Sequence, residues 1–156
     1  MSVASTTLPV SESNNAVLAI FVGGLIAGAL DLTSAFITYG PGMPRAIAGG
    51  LLGRGAMHGG AGTYVLGILL HFFIACSAAA IYYGASRKLE FLTGHPVVTG
   101  LFYGIAVFLV MNLIVLPLSA LHAEGPYAYW ELVRGLLIHM ILIGLPIALS
   151  VRRFAR

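Results

Sequence analysis

Four strongly polar side chains lie within otherwise apolar stretches of this chain: Asp31, His71, Asn112 and His139. A carboxylate and two imidazoles can take up and release protons, and imidazole does so near neutral pH. Ionisable groups inside membrane segments are costly, so they face packed interiors and mark the routes of ions and protons. Counted from the far end of its own apolar run, each of the four lies about eight or nine residues in, roughly 12–14 Å at helical rise. The spacing predicts one polar layer with a contribution from every run. Three chemistries suit such a layer. The first is an interhelical hydrogen-bond network that fixes helix register. The second is a proton or small-solute path, with Asp31 as carboxylate and His71 or His139 as titrating base. The third is a b-type haem with His71 and His139 as axial ligands, each having a glycine four residues earlier (Gly67, Gly135) to make room for the macrocycle.

The elements that would hold this layer follow from composition. Of the 156 residues, 59% are hydrophobic and 8% charged, whereas about a quarter are charged in soluble domains. So few charges cannot cover a water-facing surface. The expected fold class is an all-α polytopic membrane protein with four transmembrane helices, embedded in the lipid bilayer as a single domain over residues 16–153. Residues 1–15 read as a flexible polar N-tail, without the basic residues of a secretory signal. The runs are Ala16–Tyr39, Thr63–Ser86, Pro96–Leu121 and Trp130–Val151. In the first, Gly24, Gly28, Asp31 and Ala35 share a face, which turns Asp31 towards a close-packed neighbour rather than lipid. In the second, Tyr64, Gly67, His71, Ala75 and Ala78 form a similar stripe. In the third, Pro117 cannot donate to the Leu113 carbonyl, and Pro146 of the fourth likewise frees that of Leu142. Between the first two runs, residues 40–62 hold nine glycines and two prolines, too broken for a spanning helix. Pro44–Leu52 still suits a short helix that is interfacial or re-entrant.

Further polar residues sit near the ends of the runs. Ser119 lies seven residues after Asn112 and could form a small polar notch with the freed Leu113 carbonyl. Glu131 and Arg134 are three apart, which suits an ion pair, or Arg134 snorkels to headgroups. Tyr127, Tyr129 and Trp130 suit an aromatic belt. His58, His122, Met43 and Met57 match no metal motif and read as loop residues, so no metal site is expected. Cys76 reads as a small packing side chain. The eight Lys and Arg residues are scattered at run ends, which gives no nucleic-acid-binding face. No nucleophile elbow, phosphate loop or HExxH occurs, so the protein is not expected to be an enzyme, and no cofactor is expected beyond the haem b alternative. Five basic residues, Arg87, Lys88, Arg152, Arg153 and Arg156, fall on the N-tail side, which predicts both termini in the cytoplasm.

The runs also carry the pattern a duplicated hairpin would leave. Run one has GLIAG from Gly24 and run three GLFYG from Gly100; run two has GILLH from Gly67 and run four GLLIH from Gly135. Finally, MNLIVLPLSA from Met111, HMILIGLPIAL from His139 and the LLGRGA segment from Leu51 resemble a group of small bacterial four-helix proteins, distantly similar to the YagU-like inner-membrane proteins. The resemblance implies a bacterial inner-membrane location and carries no activity with it. The functional expectation is a small transport or proton-conducting unit, or an accessory subunit of a membrane complex. Because four short helices enclose little room, a homo-oligomer or a partner subunit is the expected working form.

Overall fold

The structure, a computed structural model, describes residues 12–122 and 128–154. Four long helices are the candidate spans: Asn15–Tyr39 within a helix that begins at Glu12, Ala61–Ser86, Pro96–Leu118 and Tyr129–Phe154. Each is long and apolar enough to cross a bilayer. We call them spans 1 to 4. Helix formation thus starts at Glu12, inside the stretch expected to be tail, because polar residues beyond the apolar run can still take helical turns. Residues 1–11 of the expected tail lie outside the described residues, as do Glu124 and Tyr127 of the last loop and Arg156.

Four crossings put Glu12 and Phe154, the two ends of the described chain, on one face, here called proximal. The link after span 2, with a one-turn helix Phe91–Gly94, lies there too. The distal face carries the glycine-rich stretch. Gly40 takes a left-handed φ of 82° and ends span 1 with its N–H on the Phe36 carbonyl. The chain then re-enters helix at Met43–Leu52, with Pro44 in its first turn, and Gly53 (φ 80°) stops it again. A 3-10 turn, Arg54–His58, leads into span 2.

Span 1 packs between spans 2 and 4, and span 4 between spans 1 and 3. Small residues make this closeness feasible. A Cβ on Gly24 would come within 2.7 Å of the Cys76 Cα, and one on Gly28 would press on the Phe72 ring. In the second hairpin Gly100 and Gly104 admit the backbone of span 4 around Gly144 and His139. The two matching glycine pairs therefore do the same job, each admitting the other helix of its own hairpin. On the proximal side the core is Ala19, Ala27, Ala79, Ile147, Ala148 and Val151, and the buried Ser150 hydroxyl donates to the Ala19 carbonyl at 2.9 Å. Large apolar side chains such as Ile37, Phe73, Phe102 and Leu118 point outward, as they must where the solvent is hydrocarbon.

Both prolines inside the spans are preceded by a π-helical segment: Met111–Val115 before Pro117, and His139–Gly144 before Pro146. A proline ring collides with the carbonyl four residues back and leaves it without a donor. A π turn adds one residue to the loop of the helix and moves that carbonyl aside.

Candidate functional site: a buried polar cavity

Asp31, His71 and His139 line one cavity of about 90 Å³ in the middle of the bundle. Span 1 brings Gly28 and Asp31, span 2 His71 and Ala75, span 3 Val107 and Met111, and span 4 His139 and Ile143. Ile47 of the short distal helix completes the wall. That helix is held tightly: Gly67 of span 2 lies directly against the Pro44 carbonyl, Leu121 rests on Gly49, and the Ala120 N–H donates to the Gly50 carbonyl at 2.8 Å. It therefore closes the cavity from the distal side. Arg45 fixes its outer turn, donating to the Gly59 carbonyl at 2.7 Å with its guanidinium over the Tyr64 ring.

The two histidines are held differently. His71 Nε2 donates to the Gly28 carbonyl across the span 1–span 2 interface at 2.8 Å, and lies 3.9 Å from the Asp31 carboxylate. His139 Nδ1 donates to the Gly135 carbonyl one turn back in its own helix, also at 2.8 Å, and its ring meets Phe108 edge-on. This leaves His139 Nε2 without a protein partner among the described residues. The Asp31 carboxylate likewise receives no hydrogen bond from any described residue. Asp31 and His71 keep 20% and 14% of their side-chain surface exposed, and both line the cavity. The space has room for a few waters, at roughly 30 Å³ each.

Asn112 does not join them. Span 3 ends at Leu118 rather than Leu121, which puts Asn112 about a turn nearer the distal surface than the depth count implied. Its Nδ2 donates to the Phe108 carbonyl of its own helix at 2.9 Å, where the main chain passes from α to π. Met111 takes the place on the cavity wall. The polar layer thus has three members, not four. The notch expected at Ser119 is also absent among the described residues: Ser119 is extended (ψ 162°) and its Oγ closes the helix end on the Leu116 carbonyl at 2.7 Å. Glu131 and Arg134 form no ion pair among the described residues. Arg134 instead stands 5.7 Å from the Tyr39 ring centre, across the span 1–span 4 mouth.

Sequence reasoning missed the Gly28 carbonyl as the partner of His71 and Ile47 as the distal wall. The first had a signal, since Gly28 and Asp31 share a face. The second had none, because nothing local says where the short helix docks. The space that His71 and His139 both line is about 90 Å³, while pockets for drug-sized ligands run to about 300 Å³ and more. No group of three His, Cys, Asp or Glu side chains among the described residues could hold a metal ion.

Fold and site together define a four-span, multi-pass integral membrane protein with an acid–imidazole cluster enclosed in its bundle. Compared with protein-family models, curated proteins and solved structures, the chain matches none.

Proposed function

We propose that this protein is a small, non-enzymatic transport unit that passes protons or a proton-coupled solute through the Asp31–His71–His139 cavity. The observation that carries the reading is the Asp31 carboxylate, which lies 3.9 Å from His71, shares its cavity with His139 as well, and has no hydrogen-bond donor of its own among the described residues. A carboxylate so placed in a membrane interior is expensive unless it is protonated, hydrated or paired. The cavity has room for water, and His139, on the same wall, offers a second proton acceptor at Nε2. A purely structural network would be expected to spend these atoms on interhelical bonds, as Tyr103 does with the Ala78 carbonyl.

The remaining parts of the reading are a bacterial inner-membrane location, cytoplasmic termini and a homo-oligomeric or partner-bound working form. The first rests on the YagU-like resemblance, the second on the five basic residues expected on the proximal side, and the third on how little space four helices enclose. The test is proton flux into vesicles holding the purified protein and a trapped pH-sensitive dye. Asp31→Asn and His71→Ala are expected to abolish the flux, and Asn112→Leu to leave it intact. A flux unaltered by Asp31→Asn removes this site from the path. No flux under any gradient turns the reading to an accessory subunit, and a Soret band in the purified protein turns it to the haem alternative.

A further inference from the structure

Spans 2 and 3 are not neighbours at close range, and the gap between them is bridged by two tyrosines. The Tyr82 and Tyr103 rings meet edge-on with centres 4.8 Å apart, and Tyr103 Oη donates to the Ala78 carbonyl at 2.6 Å. Ala78 also borders the polar cavity, so the tyrosine pair is a wall. On its proximal side the gap widens into a separate cleft of about 570 Å³, whose other walls are Ala85, Phe91, Leu92, Val98 and Phe102. That volume lies within the range of ligand pockets, about 300–1,000 Å³.

The chemistry of the cleft selects hydrocarbon. Its hydroxyls are already spent: Tyr82 Oη and Thr99 Oγ1 lie 2.8 Å apart, both reach the Leu92 carbonyl at 3.1 Å, and Thr99 Oγ1 also reaches the His95 carbonyl at 2.9 Å, which leaves only the His95 ring at the rim. Phe91, Val98 and Phe102 are 56%, 55% and 68% exposed, so the cleft opens sideways, where a membrane-spanning bundle meets acyl chains. Tyr103 is seven residues into span 3, which sets the floor roughly 10 Å below the helix start at 1.5 Å per residue. At the rim the chain turns through Arg87, Lys88 and Glu90 to the exposed His95, a basic excess at headgroup level. We infer that this cleft is a binding site for one acyl chain of an anionic phospholipid, whose headgroup lies against Lys88 and His95. The site stands apart from the polar cavity and does not depend on transport.

Lipid quenching tests it. In a Trp130→Phe background, Phe102→Trp places the sole tryptophan at the cleft. The protein is reconstituted in phosphatidylcholine vesicles holding increasing fractions of brominated phosphatidylglycerol or brominated phosphatidylcholine. The phosphatidylglycerol is expected to quench at a half-saturating fraction about fivefold lower, the size expected of one basic side chain at an anionic surface. Lys88→Gln should remove most of that preference, and Val98→Phe, which fills the cleft from its open side, should remove saturable quenching while the circular dichroism is unchanged. Equal quenching by both lipids in proportion to their fraction would overturn the site, as would a preference that survives Lys88→Gln. Protection from both lipids in a protein that runs as a dimer would give the cleft to a second copy instead.

Discussion

The first hairpin, spans 1 and 2, and the second, spans 3 and 4, begin from the same sequence device and end in different chemistry. In both, two glycines four residues apart admit the other helix of the hairpin, and a histidine follows a glycine by four on that helix. In the first hairpin the helices stay α throughout, and His71 reaches across to the Gly28 carbonyl beside Asp31. In the second, Val107 stands where the glycine alignment would put the acid. His139 turns back on its own helix, and both helices loosen into π turns ahead of their prolines. The first hairpin thus carries its carboxyl and imidazole on unbroken α-helix, and the second supplies an imidazole whose Nε2 has no partner among the described residues, on a backbone departing from α. π turns are common at functional sites because they reposition side chains without breaking the helix. Two hairpins with the same glycine pattern thus bring different side chains to the cavity, a carboxyl and one imidazole from the first and the other imidazole from the second.

The comparison can be broken at several points, from strong effects to weak. Gly144→Leu forces a side chain into the Gly100 carbonyl and Gly104 backbone. It should cost about 3 kcal/mol or more, read as loss of folded protein in an SDS titration followed by circular dichroism. Gly84→Ala is the matched control: a Cβ there meets nothing, and stability should be unchanged or slightly raised. His71→Ala removes a bond between helices and should cost about 2 kcal/mol, whereas His139→Ala removes only a bond within one helix and should cost about 1 kcal/mol or less. Equal costs would show that the hairpins hold their histidines alike. Apart from that control, Asn112→Leu is the smallest change expected, below about 1 kcal/mol, because the Met111 N–H also reaches the Phe108 carbonyl. A larger loss would return Asn112 to the polar layer.

Much of this was legible in the residues. The fold class followed from a composition too poor in charge for a water-facing surface, and the short distal helix from the placement of Pro44 among glycines. The prolines marked where the helix ladder would be disturbed but not how; that it passes into a π turn ahead of each is seen only in the structure. Asn112 shows the limit of counting depth. A helix end at Ser119, made by an extended residue whose hydroxyl bonds back to Leu116, moved the count by three residues. That moved the amide off the wall.

By itself the sequence determined the spans, their small-residue faces and the presence of Asp31, His71 and His139 at similar depth. These depend on local hydropathy and on the 3.6-residue period, and both are written along the chain. Only the tertiary structure decided which of the polar residues meet, that His71 is bound to Gly28 while His139 keeps Nε2 open, and that Ile47 closes the cavity. Those facts depend on the rotation of each helix about its axis and on where a ten-residue helix docks. Rotation and docking are set by backbone contacts such as Gly67 on Pro44 and Gly144 on Gly100, between residues far apart in the chain.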